Sequence, residues 1–204
     1  TEHVERRITS FEDYVTDSQL YQAFLYSYAA DAYRRKLFAP INGIRSWMFK
    51  SFPKKPLSGF GVIDCFDNPV MAFYAQKRTF APVTVSYAIR YPLESVPAGS
   101  PYSVPIWLSN ITQQTFRSVI IENSLKSLKG DTVFHSTQTV DVPSAQAKLA
   151  QTLQWKTPER PGIYLLRSVV RSGDQAIAQA SQYVKVAPAA TNKPVRILVV
   201  GTSE

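Results

Sequence analysis

The sequence predicts a mainly β protein, a two-sheet antiparallel sandwich led in by a shorter α/β segment, and three observations carry that reading. Residues 83–186 break into short runs rich in alternating and β-branched residues, separated by turn residues at close intervals. Residues 16–80 instead show helical periodicity, then one apolar run, then a second helical stretch, the order of an α/β unit. Ala81-Pro82 marks the joint between the two patterns.

Residues 1–15 carry little periodic signal and read as an irregular lead-in. Thr16 with Gln19 three residues on has the form of a capping box, and Asp17 favours the dipole. From there to Leu37 the positions Leu20, Phe24, Tyr28 and Tyr33, with Ala23, Ala30 and Ala32, fit one apolar stripe. Arg34, Arg35 and Lys36 fall in the last turn, where cations offset the C-terminal dipole, and Pro40 stops the helix. Gly43–Phe52 reads as a strand covered on both sides, because it lacks polar alternation. Pro53–Gly61 is a loop, and Gly61–Asp64 a short extended piece. Asp67-Asn68-Pro69 opens a helix running to about Phe80. This helix, strand, loop, helix order is the grammar of an α/β barrel or a doubly wound sheet.

Beyond Pro82 the candidate strands are Val83–Tyr91, Tyr102–Ser109, Arg117–Ser124, Thr132–Val142, Ala147–Trp155, Gly162–Arg171 and Ala176–Val186. Their turns carry Pro97-Ala98-Gly99, Asn110, Lys129-Gly130-Asp131, Pro158 to Gly162, and Ser172-Gly173-Asp174. That spacing is the signature of an immunoglobulin-like sandwich, with Trp107 expected to point into its core. Residues 188–204 read as a linker followed by an apolar run, Val195–Gly201, that suits either a late strand or the start of a further domain.

Composition narrows the function. The 204 residues carry a formal charge of +8, yet the local groups, such as Arg6-Arg7, Arg34-Arg35-Lys36 and Lys54-Lys55, are short and most other cations are spread singly. A nucleic-acid partner is not expected from such scatter. Cys65 is the single cysteine, and His3 and His135 lie far apart, so neither a metal centre nor a histidine-based triad is expected, and no cofactor is implied. No apolar run is long enough to insert in a membrane, and the first residues lack the apolar core of a signal peptide.

Ser18-Gln19, Arg34-Arg35, Trp47, Phe52-Pro53, Ile63-Asp64 and Pro69–Arg78 follow one another in a recognisable order. In that order and spacing the passage Ser18–Ser86 resembles the end of the catalytic barrel in family 2 glycoside hydrolases, in particular their β-mannosidase and exo-glucosaminidase-like branch. Phe80-Ala81-Pro82-Val83 resembles that family's crossover into an immunoglobulin-like domain. The resemblance implies residues 1–81 as the last helix-strand-helix of a TIM-type (β/α)8 barrel, 82–187 as an immunoglobulin-like sandwich, and 188–204 as linker and terminal strand. It departs from the family at Met48-Phe49-Lys50-Ser51, which replaces polar residues placed near the sugar. The family's acid/base and nucleophile carboxylates lie on earlier barrel strands, so the resemblance implies no catalytic residue here.

Trp47 therefore reads either as a sugar-stacking platform at a barrel mouth or as a strand tryptophan buried under helices. Phe52 and Phe60 either line the same mouth or pack locally. Trp47 and Phe52 are the candidate substrate-binding residues. Asp64 and Asp67 read as capping carboxylates ahead of Pro69, Lys54-Lys55 as a solvated pair, and Cys65 as a packing residue. The functional expectation is a structural or docking region of a glycosidase-like protein, not catalytic by itself. Its partners would be the remainder of the barrel or a second copy, with carbohydrate as the implied ligand. The rival expectation is a free-standing carbohydrate- or protein-binding sandwich.

Overall fold

The computed structural model describes residues 8–38, 40–52, 60–89 and 95–189. Two helices and eight strands are described: α1 (Phe11–Arg34), α2 (Met71–Thr79), β1 (Val83–Tyr87), β2 (Ser95–Pro97), β3 (Pro101–Asn110), β4 (Phe116–Ser127), β5 (Thr132–Val142), β6 (Gln146–Lys156), β7 (Gly162–Ser172) and β8 (Gln175–Ala187). The protein is mainly β, with two helices and isolated β-bridges before an immunoglobulin-like sandwich of two sheets.

Helix α1 begins earlier than the Thr16 capping box implies. Ser10 is the cap, in extended conformation, and its Oγ accepts the Asp13 backbone N–H at 3.0 Å. Thr9 Oγ1 donates to the Asp13 carboxylate at 2.9 Å, and Glu12 and Asp13 place negative charge in the first turn. Helix α2 starts at Met71 behind Val70, which caps with no side chain; the Val70 N–H bonds the Val62 carbonyl at 3.0 Å instead. Pro69 thus precedes the cap and does not form the first turn. The two helices pack with Asp31 and Arg78 between them, a two-pronged pair at 2.8 and 3.3 Å.

The strand expected over residues 43–52 forms no ladder. Lys50 makes a single parallel bridge to Ile63, and Ile63 a single antiparallel bridge to Pro69. Ser51 N–H donates to the Ile63 carbonyl at 2.9 Å, and Val62 and Ile63 donate to the Phe49 carbonyl at 3.1 and 3.0 Å. A ladder needs neighbours along its length, and among the described residues only this short 61–63 piece pairs with the segment. Trp47 and Phe49 accordingly face outward, 75% and 67% exposed.

The sandwich has a three-stranded sheet, β1-β3-β6, and a five-stranded sheet, β2-β8-β7-β4-β5. All pairings are antiparallel except β2 with β8, where Ser95–Pro97 lies parallel to Lys185–Ala187. The expected strands match these in place and type, except that the first ends at Tyr87 and not Tyr91, and β2 was not foreseen; residues 1–7, 39, 53–59, 90–94 and 190–204 lie outside the described residues. Inward residues of both sheets make one core: Val83, Val85, Val104, Ile106, Leu108, Val119, Ile121, Leu125, Leu166 and Val170 among them, each nearly or fully buried. Trp107 does not join it. On β3 the inward phase is Val104, Ile106 and Leu108, which turns Trp107 to the other face, half-buried. The core tryptophan is Trp155 on β6, stacked on Phe134 at 5.6 Å and meeting Tyr102 edge-on at 5.1 Å.

A polar chain crosses this core. Tyr87 OH sits 2.9 Å from Ser168 Oγ and 3.1 Å from the Ala180 carbonyl, and Ser168 Oγ donates to Asn123 Oδ1 at 2.6 Å. Asn123 Nδ2 goes on to Ser136 Oγ at 3.3 Å. Each member partners the next, so strands β1, β8, β7, β4 and β5 are tied at one level through the core. Burial pushes the Tyr87 hydroxyl far above its usual range, although Ser168 works in the opposite direction.

Candidate functional site

Two features of the N-terminal segment bear on function: how it is held to the sandwich, and what it leaves exposed. The holding is done by the end of α1. Strand β1 turns Val83, Val85 and Tyr87 into the core and Thr84 and Ser86 to the opposite face, yet both polar residues are buried, at 4% and 3% exposure. Arg34 covers them. Its guanidinium donates to the Ala81 carbonyl at 3.0 Å, the Ser109 carbonyl at 3.2 Å, Thr84 Oγ1 at 3.3 Å and the Pro82 carbonyl at 3.4 Å. Arg35 donates to the Tyr87 carbonyl at 3.1 Å and to Ser86 Oγ at 3.4 Å. These arginines thus serve as a tertiary clamp more than as dipole partners. A fork of fixed donors suits several carbonyls at one sheet edge, which an ammonium cannot match.

The exposed features begin with α1 itself. Phe11, Tyr14, Tyr21, Leu25 and Tyr33 are 74, 57, 52, 39 and 49% exposed. At helical geometry these positions fall on one face. The stripe runs the length of a 24-residue helix, roughly 36 Å. Beside it lies a rim of rings. Trp47 (75%), Phe52 (60%) and Phe60 (65%) are all exposed, as is Phe66 in the following turn.

The rim is anchored through its backbone. Tyr26 OH, from α1, bonds the carbonyls of both Trp47 and Phe60, at 3.1 and 3.3 Å. Gln76 of α2 donates to Ser46 Oγ. The Trp47–Met48 peptide is cis. Gly61 passes so close to the facing segment that a Cβ there would lie 2.5 Å from Ser51 N and 2.8 Å from the Lys50 carbonyl carbon. Sequence reasoning missed Tyr26, Gln76 and Gly61, because nothing local distinguishes them from other helix and loop residues.

The carboxylates near the rim are committed elsewhere. Asp64 accepts the backbone N–H groups of Phe66 and Asn68, both at 2.8 Å, so it closes the 64–68 turn and does not cap α2. The Asn68 backbone bond, foremost, holds its carboxyl below the usual range. Asp67, at φ 68°, pairs with Lys50 at 2.6 Å. A general acid needs the opposite, a raised carboxyl free to give its proton. Asp31 is raised by burial, but it is engaged by Arg78 between the helices. Trp47 and Phe52 both present exposed rings, whose faces can stack on apolar surfaces. Among the described residues no group of three or more metal-ligating side chains comes together, and no helix is long and apolar enough to cross a membrane.

Neither a family model nor a curated protein matches the chain. Solved structures do. The chain is similar in fold to part of an exo-chitosanase. The exo-chitosanase CsxA of Amycolatopsis orientalis superposes with a TM-score of 0.67 at 18% identity, over 86% of this chain and 20% of that one. A variant of the same enzyme, in complex with PNP-β-D-glucosamine, gives 0.65 at 18% identity over 85% and 19%. A β-glucuronidase from glycoside hydrolase family 2 is more distant, at 0.39 and 14% identity over 52% of this chain and 13% of that one. The chain spans about a fifth of the length of the exo-chitosanase. Because the likeness to that enzyme covers 86% of the chain, it takes in residues on both sides of the Ala81-Pro82 joint.

Proposed function

We propose that this chain is an accessory region of a family 2-like glycoside hydrolase: the closing helices and rim of a carbohydrate-active (β/α)8 barrel, held on an immunoglobulin-like sandwich that supports it. The observation that carries the proposal is the apolar stripe on α1. Five large side chains are exposed along one helix face, and an exposed apolar stripe of this kind suits a surface that another element covers. A barrel helix lies between neighbours that cover such a face. The sequence order Trp47, Phe52-Pro53, Ile63-Asp64, Pro69–Arg78 supports the same reading.

In this proposal the residues divide by role. Arg34 and Arg35 couple the barrel end to β1, so that the sandwich fixes the orientation of the rim. Tyr26 and Gly61 hold the two arms of the rim together. Trp47 and Phe52 stack on the sugar, and the two carboxyl groups that hydrolysis needs on either side of the scissile bond come from other barrel strands.

The test is kinetic. The full-length product of the gene is assayed on a panel of p-nitrophenyl glycosides, β-D-glucosaminide included, beside its Trp47→Ala variant. Loss of one stacking face costs about 1–2 kcal/mol, so kcat/KM falls roughly tenfold while the fold is kept. A full-length product without glycosidase activity, or one indifferent to Trp47→Ala, refutes the proposal.

A further inference from the structure

Read along the sequence, the cations of the sandwich are scattered; strand pairing gathers some of them. On the outer face of the five-stranded sheet, Ser124 of β4 stands opposite His135 of β5 on one side and Arg167 of β7 on the other. Lys126 lies two residues along β4 from Ser124, on the same face. It is therefore the diagonal neighbour of Arg167, at roughly 7–8 Å, while on the β5 side a register shift after Leu125 sets it opposite Thr132. Lys126, His135 and Arg167 are all exposed. They surround Ser124 in a surface depression of about 380 Å³ whose lining also includes Glu122, Leu165, Val169 and Arg171.

We infer that this depression binds the acidic group of a sugar, a uronate carboxylate or a sulfate ester, above Ser124. Lys126 and Arg167 supply charge-assisted donors, the Ser124 hydroxyl a further donor at the centre, and His135 closes the third side. One edge of the Arg167 guanidinium is used by Gln179 Oε1, at 3.1 Å, which orients the fork. Leu165 and Val169 flank Arg167 on β7 and give apolar contact to the C–H face of a sugar ring. Arg171 is not part of the triangle, since it is tied to Glu122 at 3.3 Å and to the Asp174 carbonyl at 3.3 Å.

The same geometry argues against a nucleic acid. A phosphate chain needs free cations repeated along a track, whereas here the neighbouring Arg171 is already engaged by the Glu122 carboxylate. The occupant is one acidic group with a sugar attached. This site stands on the sandwich alone, so it survives or fails independently of the barrel proposal.

The experiment is an amide NMR titration of the full chain at constant ionic strength. The probes are a sulfated uronate disaccharide, inorganic sulfate, neutral cellobiose and a short DNA single strand. The expected result is saturable binding of the disaccharide near millimolar concentration, with shifts centred on Ser124, Lys126, His135 and Arg167. Lys126→Ala with Arg167→Ala, both on exposed positions, weakens it about tenfold or more. Equal binding of cellobiose, equal binding of inorganic sulfate, tighter binding of the DNA at the same salt, or an unaffected double variant each overturns the inference.

Discussion

Replacing Arg34 by Met should separate the helical segment from the sandwich without unfolding the sandwich. Arg34 is 4% exposed and donates to four oxygens at 3.0 to 3.4 Å. Methionine keeps much of the stem's packing and removes the donors. The Pro82 carbonyl retains the Ile111 N–H at 3.0 Å, so the two shortest bonds, to Ala81 and Ser109, carry most of the loss. Hydrogen bonds to a charged group contribute about 1.5–3 kcal/mol each, and part of that is offset by the cost of burying the guanidinium. A net loss of about 3 kcal/mol is therefore expected. Hydrogen exchange with mass-spectrometric readout resolves where it falls. Amides of α1 and α2 should exchange roughly a hundredfold faster, while those of β3, β4 and β7 stay within a few-fold of wild type. Arg34→Lys should lie between, because it keeps the charge and loses the fork. Uniform acceleration of helices and strands, or no change in α1, would show that the clamp does not hold the segment.

Three further outcomes follow from buried groups. Burial keeps the Asp31 carboxyl above its usual range even with Arg78 at 2.8 Å, so its folded pKa exceeds its unfolded one. Its contribution to stability is full below the ordinary value and is lost as pH rises through the raised one; urea denaturation of Asp31→Asn between pH 3.5 and 7 should lack that falling component. In the core network, Ser168→Ala strands the Asn123 amide oxygen, in a residue with no exposure, and should cost about 2 kcal/mol, against about 1 for Tyr87→Phe. A double-mutant cycle of the two should show coupling above about 0.5 kcal/mol, and strict additivity would dissolve the network. Gly61→Ala should cost about 2–3 kcal/mol, because its Cβ meets backbone at Ser51 N and the Lys50 carbonyl carbon as well as the Ser51 hydroxyl; thermal denaturation reads it directly.

The parts of the fold legible in the sequence were those whose signal is local. Thr132–Val142 reads as a strand from its own alternation, and it is one. Strand β2 escapes because it is three residues long, ends in Pro97, and exists through parallel pairing with a segment far along the chain. Trp107 and Trp155 show a related limit. Alternation states that neighbours face opposite ways, but which phase is inward depends on the sheet that covers it. For 43–52 an apolar run was read as doubly covered, although the run itself says nothing about the neighbours that would do the covering. The site divides similarly. Trp47 and Phe52 are candidates from residue type and order, and the structure shows that both are exposed, whereas Arg34, Arg35 and Tyr26 act across the fold and look in sequence like ordinary members of a helix.

The account rests on the stripe Phe11, Tyr14, Tyr21, Leu25 and Tyr33 being a covered surface in the working protein. Hydroxyl-radical footprinting of those residues, in this chain and in the full-length product of its gene, measures that most directly. Strong labelling in the chain and protection of all five in the full-length product is the predicted result. Equal labelling in both would contradict the account.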